Sequence, residues 1–326
     1  EYIGVKYAVS CASGTSAISL LCPTLKIKPG DEVILQSLTF TADAWAMHQA
    51  GAKIIFADCA KNTFSIDPED VKKKISKKTK IISPTHLYGR PSRMDELREI
   101  CDKNNIYLIE DCCQAMGSKY KDKMVGSMGD FNFYSFHNKL IASGEGGMIT
   151  TNNKDLADRF EKLKNPPAVN RPEERDGFTE ISMNHRLSNL HAAVGLAQLE
   201  RLEQNIKKKL RMAEIYDDIF DNSDGISLIK EDDQNRTVWW RYTILLDPKI
   251  NVAKFKQKAL ESKIIVREGY LPLHKHPFFK EHKNLHLPNA ERLGDVAIDI
   301  PSSFKLKENE IALIAQTLKK IAKDLI

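Results

Sequence analysis

Through about the first 150 residues, short apolar runs rich in β-branched and aromatic side chains alternate with stretches of helical period. Strands joined by helix-length connections lie parallel, and a parallel sheet is covered by its own helices on both faces. The alternation therefore predicts an α/β unit on a mostly parallel sheet. Expected strands are Tyr7 to Cys11, Glu32 to Gln36, Lys53 to Ala57, Lys80 to Pro84, Ile106 to Glu110, Asn132 to Phe136 and Met148 to Thr151. Expected helices between them are Ser16 to Leu25, Ala42 to Ala50, Pro68 to Ile75 and Met94 to Asn104. In such sheets ligands bind beyond the carboxyl ends of the strands. Ser13-Gly14-Thr15, Asp111 and Ser135 all fall at such ends, so one crevice can collect them.

Further on, Asn165-Pro166-Pro167 opens a polar, proline-bearing stretch to about Thr179, which reads as an exposed loop. A long helix is expected from about Leu187 to Phe220, with Ala192, Ala193, Leu196, Leu199, Leu202 and Ile206 at helical spacing. The rest reads as a smaller α+β domain: a strand Trp240 to Leu246, a helix Val252 to Ser262, a strand near Ile264 to Arg267, a loop from Tyr270 to Pro277 and an amphipathic helix Glu308 to Leu325. The expected division is a large domain, 1–205, and a small C-terminal domain, 206–326, which suits a chain of 326 residues.

Composition excludes several classes of function. No stretch approaches the roughly 18 apolar residues of a membrane span. The net charge of +5 comes from 49 basic and 44 acidic residues that are interleaved. The short runs Lys72-Lys73-Lys74 and Lys207-Lys208-Lys209 read as solvated helix faces, so no nucleic-acid partner is expected. The cysteines, Cys11, Cys22, Cys59, Cys101, Cys112 and Cys113, show no CxxC pair and no histidine at ligand spacing. They read as buried thiols in a reducing compartment, with no metal site. The chain starts directly with a strand and without a cleavable apolar segment, so a cytoplasmic location and a beginning inside a domain are the expectations.

Lys139 lies in Phe133-Tyr134-Ser135-Phe136-His137-Asn138-Lys139, ahead of Gly144-Glu145-Gly146-Gly147, and Asp111 lies in Ile109-Glu110-Asp111-Cys112-Cys113-Gln114. Together they match the needs of pyridoxal phosphate. A lysine amine condenses with the aldehyde and shuttles a proton, and a carboxylate keeps the pyridine nitrogen protonated so that the ring can draw electrons. Singly, a loop lysine is usually solvated and an aspartate after a strand is often a cap. Ser13-Gly14-Thr15-Ser16-Ala17 between strand and helix offers unpaired N–H groups to a phosphate, although Ser-Gly-Thr there is first an N-cap.

Further segments occur in the same order as in one family: Lys28-Pro29-Gly30-Asp31-Glu32-Val33-Ile34, Thr39-Phe40-Thr41-Ala42, His86-Leu87-Tyr88-Gly89 with Met94-Asp95, and Met183-Asn184-His185-Arg186-Leu187-Ser188. Over essentially its whole length the chain resembles the DegT-type sugar aminotransferases, pyridoxal-phosphate enzymes of fold type I, the aspartate-aminotransferase-like fold. The resemblance implies a Schiff-base role for Lys139 and a pyridinium partner in Asp111. It implies that Gln114 lies near the phenolic oxygen, that Phe40 stacks on the ring with Trp45 as rival, and that Gly14, Thr15 and Ser135 hold the phosphate. Asn184 would reach the phosphate from the other subunit of a homodimer. It further implies L-glutamate as amino donor and a nucleotide-linked keto-sugar as acceptor.

Three departures qualify the match. Lys139 follows Ser135 by four positions where the family pattern has five, through a shortened loop or a residue absent from the chain. Only twelve residues precede Ser13, where family members carry a few tens that include part of the substrate pocket. Cys112-Cys113 stand where alanine-like residues are usual, a benign core exchange. His137 reads as a substrate contact or a loop orienter, His274 and His276 as a closing loop or a surface turn, and Arg186 and Arg267 as anion binders or caps. The alternatives are a sugar dehydratase of the same family, against which Lys139 argues because those enzymes carry histidine there, and a non-catalytic regulator on the same fold.

Overall fold

The computed structural model describes residues 1–165, 182–230 and 234–326; the loop expected between 166 and 179 lies outside them. The first part contains β1 (Tyr7–Cys11), α1 (Gly14–Thr24), β2 (Glu32–Gln36), α2 (Ala42–Gln49), β3 (Lys53–Ala57), α3 (Pro68–Lys74), β4 (Thr79–Ser83), α4 (Met94–Asn104), β5 (Tyr107–Asp111), β6 (Lys119–Tyr120), β7 (Lys123–Met124), β8 (Phe131–Ser135), β9 (Gly147–Thr151) and α5 (Lys154–Lys164). Seven strands form one sheet in the order β1-β9-β8-β5-β4-β2-β3. Its neighbours from β8 to β3 pair in parallel, while β9 runs against both β1 and β8. The reversal has a local cause: β8 and β9 are joined by a loop without a helix, and such a short connection can only turn the chain back. That loop carries Lys139.

Both faces of the sheet are apolar and the pleat sorts them. Val33, Leu35, Ile81 and Ile109 point to the core under α1, α2 and α5; Ile34, Ile82 and Leu108 point to a second core with Val71 of α3 and Leu97 and Ile100 of α4. Each such side chain contributes roughly 1.5–3 kcal/mol on burial. The two-sided demand is why these strands read as continuous apolar runs.

The second part holds α6 (Asn189–Glu200), α7 (Leu202–Phe220), β10 (Ile226–Ser227), β11 (Tyr242–Leu246), α8 (Val252–Glu261), β12 (Arg267–Glu268), α9 (Pro288–Val296), β13 (Ala297–Ile300) and α10 (Glu308–Lys323). The antiparallel sheet β10-β11-β13-β12 is accompanied by α10, which packs against α7 and α8. The single long helix expected from Leu187 to Phe220 is two helices, because Arg201, at φ −101° and ψ 0°, leaves the helical conformation. Within α6 no residue is buried, whereas Leu202 and Ile206 of α7 are. Trp240 does not begin β11. Its backbone N–H donates to Tyr88 O at 3.0 Å and its indole Nε1–H to Asn138 O at 2.9 Å, which ties the second part to the first. Lys209 corrects the reading of its lysine run: it is buried and donates to the carbonyls of Trp240 and Ser302. No helix among the described residues is long and apolar enough to cross a membrane.

Candidate active site

The β8–β9 loop is pinned by its own backbone. Phe136 N–H donates to Gly146 O at 2.8 Å and Ser143 N–H to Phe136 O at 3.0 Å. Asn138, at φ +48°, takes the left-handed turn that an asparagine tolerates. Lys139 thereby stands with its Nζ 3.4 Å from the centre of the Trp240 ring, whose surroundings also include the Arg241 guanidinium at 4.1 Å. Burial pushes the Lys139 ammonium down from 10.5 to about 8; Cys113 and Asp111 pull the other way, and Arg241 lowers it further. An amine so placed is uncharged in a usable fraction at physiological pH, as a nucleophile or proton shuttle must be when it acts.

Lys139 opens on a cavity of about 540 Å³ that also meets Ser13, Gly14, Thr15, Phe40, Asp111, Gln114 and Ser135. Asp111 ends β5, is 3% exposed, and accepts the Cys113 N–H at 2.9 Å. Burial raises its carboxyl above the usual range, and that N–H and Lys139 offset part of the rise. Gln114 accepts the Tyr88 N–H at 2.8 Å and donates to the Tyr270 hydroxyl at 3.1 Å, so its amide is fixed across the cavity wall. At the other end, Ser13 caps α1 by accepting the Ser16 N–H at 3.0 Å, and Gly14 and Thr15 open the helix. A Cβ on Gly14 would lie 2.8 Å from the Ser135 Cβ and 3.3 Å from Cys113 Sγ, so only glycine lets the helix start approach Ser135 this closely.

One wall thus offers helix N-terminal N–H groups and a hydroxyl, its middle a buried carboxyl, and its far side an amine. That donor set suits a protonated aromatic ring carrying an anionic arm and a carbonyl. Asp43 is buried in the same wall, and no donor is hydrogen-bonded to its Oδ2. Phe40 is 54% exposed on the wall and meets Tyr270 edge-on at 6.4 Å. Trp45 instead packs on Phe278 and lies outside this wall.

Asn184 and Arg186 are exposed and are not brought to the cavity within this chain. Arg267 lines a neighbouring cavity of about 650 Å³, which shares Asn138, Lys139, Trp240 and Arg241 with the first. His137 lines the first cavity and is oriented by Gly144 O at 3.0 Å and Glu145 Oε1 at 3.1 Å. His274 is a buried strut between Ser37 Oγ, 2.6 Å, and Glu291 Oε1, 3.0 Å, which removes it from any closing loop. His276 is half-buried and contacts Leu271 O at 3.3 Å. All six cysteines are free, and Cys113 is a cavity residue as well as a core exchange.

Asp43, Trp240, Arg241 and Tyr270 belong to this wall and were not singled out from the sequence as site residues. Asp43 follows Thr39-Phe40-Thr41-Ala42 directly, so the motif carried its signal. Trp240 and Arg241 come from the second part of the chain and have no local signature. The fold also gathers His86, Glu110 and Cys112 within ligand distance of one another. Protein hydrogen bonds occupy the first two: Glu110 accepts N–H groups of Gly126, Met128 and Gly129 and faces His86 Nε2, while His86 Nδ1 accepts the Ser92 N–H.

Residues 1–319 match the DegT/DnrJ/EryC1/StrS aminotransferase family, and the chain belongs to it. It is an aminotransferase with the α/β architecture of fold type I. Its relatives include a GDP-perosamine synthase from Escherichia coli O157:H7, 36% identical over 98% of this chain and 87% of that one. A UDP-4-amino-4,6-dideoxy-N-acetyl-beta-L-altrosamine transaminase from Campylobacter jejuni is 33% identical, again over 98% of this chain and 87% of its own length. Among solved structures, Helicobacter pylori PseC, an aminotransferase involved in the biosynthesis of pseudoaminic acid, superimposes with a TM-score of 0.91 at 25% identity, covering 99% of this chain and 88% of that one.

Proposed function

We propose that the chain is a cytoplasmic, homodimeric pyridoxal-phosphate aminotransferase that moves an amino group from L-glutamate to a nucleotide-linked keto-sugar. The observation that carries this reading is the single cavity in which the Lys139 amine and the Asp111 carboxyl stand beside the start of α1. The relatives' names, which specify GDP- and UDP-linked amino sugars, support the acceptor class.

In this reading the Gly14 and Thr15 N–H groups and the Ser135 hydroxyl hold the phosphate of the cofactor, Asp111 faces its ring nitrogen, Gln114 its phenolic oxygen and Phe40 its ring face. The bound cofactor supplies the electron sink that makes a carbon α to nitrogen acidic. Lys139 supplies the amine that takes a proton from one carbon and returns it to another, first with the donor and then with the keto-sugar. A depressed pKa of about 8 leaves a usable fraction of that amine uncharged near neutrality. Burial and Arg241 keep it so, the one by withholding water and the other by repulsion.

The dimer is supported by α6. Leu190 is 81% exposed, Leu196 59% and Val194 47%, apolar side chains on more than one side of a helix with no buried residue. Such a helix is covered in a stable protein, and a second copy would bring its own Asn184 toward the phosphate end. The domain division at 205/206 puts that helix and the cofactor groups in the large domain. In the test, purified protein loaded with cofactor is followed in the near-visible before and after L-glutamate, then with a panel of nucleotide-linked keto-sugars. The band is expected to shift with glutamate and return with one acceptor. A protein that shows no cofactor band after incubation with pyridoxal phosphate refutes the reading.

A further inference from the structure

We propose that Asp43 and Asp111 share one proton, carried by Asp43, and that Asp43 acts as a positioning residue which holds the Asp111 carboxylate toward the cavity. Asp43 lies in the first turn of α2 and is 3% exposed. Its carboxyl is within hydrogen-bonding reach of the Asp111 carboxyl, itself 3% exposed, and both belong to the cavity wall beside Lys139. Two buried carboxylates in contact cannot both stay ionised, and the pair settles at one negative charge.

The surroundings decide which member keeps the charge. Asp111 accepts the Cys113 N–H at 2.9 Å and feels the Lys139 amine. Asp43 has neither: no donor is hydrogen-bonded to its Oδ2, and no ion pair involves it among the described residues. A place in a helix's first turn favours a negative charge, but that influence is weaker than a carboxylate neighbour in a dry site. Burial and Asp111 both drive the Asp43 carboxyl well above its ordinary range. Asp43 is therefore the acid, and its O–H donates to Asp111. The result is a carboxylate fixed from two sides, by a backbone N–H and by an O–H, with net charge −1 opposite the position assigned to the ring nitrogen.

The positioning half of the proposal rests on the cofactor reading given above, whereas the shared proton does not, so the test has two arms. In the first, native capillary electrophoresis at pH 7 compares cofactor-free wild type, Asp43→Asn and a surface control, Asp122→Asn, at an exposed aspartate. Asp43→Asn is expected to co-migrate with wild type while Asp122→Asn moves by one charge per chain; an equal shift for Asp43→Asn overturns the shared proton. In the second, equilibrium titration with pyridoxal phosphate compares Asp43→Asn, which keeps a donor, with Asp43→Leu, which does not. Affinity within about threefold of wild type for Asn and at least tenfold weaker for Leu is expected. Leu binding as tightly as Asn overturns the positioning role. If Asp43→Asn fails to fold, Asp43→Thr keeps a short hydroxyl donor and serves in both arms.

Discussion

If Lys139 is held partly neutral by burial, removing it from cofactor-free protein should stabilise the fold at neutral pH. The perturbation is Lys139→Met, which keeps the length of the stem and discards the charge. A fall from 10.5 to about 8 means that the folded protein disfavours the ammonium, relative to the unfolded chain, by about 3 kcal/mol, at about 1.4 kcal/mol per tenfold change in proton affinity. Against this stands the contact of Nζ with the Trp240 ring, roughly 0.5–2 kcal/mol in favour of the cation. The attraction of Asp111 and Cys113 is already contained in the lowered value. Desolvation wins, and the variant should gain about 1–3 kcal/mol below pH 8. The sign reverses no further: above about 8 the folded protein sheds the proton while the unfolded chain keeps it to 10.5, so wild-type stability climbs through that window and the variant's advantage fades. With an unfolding entropy of about 0.7 kcal/mol/K for a chain of this length, the gain at pH 7 is about 2–4 °C in Tm. Differential scanning fluorimetry of both proteins at pH 7, 8, 9 and 10 reads it directly. A variant less stable than wild type at pH 7, or a difference that does not change with pH, refutes the reasoning.

Other consequences are equally direct. Glu110→Gln turns an amide donor toward a cluster of N–H groups in a fully buried site, and should cost about 2–4 kcal/mol, read as a Tm lower by about 3–6 °C; an unchanged Tm would show that Glu110 does not organise the turn between β7 and β8. Gly14→Ala forces a Cβ against Ser135, so titration should show at least tenfold weaker binding of pyridoxal phosphate with secondary structure retained in circular dichroism. Leu196→Glu alters a residue 59% exposed and should leave the folded chain within about 0.5 kcal/mol of wild type, while sedimentation shows a monomer and transamination is lost. A dimer that survives this change removes α6 from the proposed interface.

The large sheet was legible because both of its faces are apolar, which makes each strand a continuous run; the expected ends fall within one residue of the observed ones. What escaped has a physical reason in each case. The helix expected through Leu187 to Phe220 keeps its period across Arg201, so the sequence carries no sign of the backbone change there. Helix α5 has Leu156, Ala157, Phe160 and Leu163 at helical spacing after the Asn153 cap and was readable, while β13 is a four-residue strand, legible only with its partners β11 and β12 in place. In the site, motif-borne residues could be found one by one, since Gly14, Asp111, Gln114, Ser135 and Lys139 sit at strand ends or in the loop that follows β8. Trp240 and Arg241 could not, because they reach the cavity through the docking of the second part on the first. Lys209 shows the converse failure: in a run of three lysines it looks solvated, yet the packing of α7 buries it and lowers its ammonium to about 7.

That second depressed lysine defines the most direct measurement of the central claim. Lys209 is lower than Lys139, but its amine is spent on the carbonyls of Trp240 and Ser302 and it does not line the cavity that holds Asp111. Cofactor-loaded protein should be reduced with borohydride, digested and mapped by mass spectrometry. The account predicts the reduced cofactor on the peptide containing Lys139 and on no other; its appearance on Lys209, or its absence from both, contradicts it.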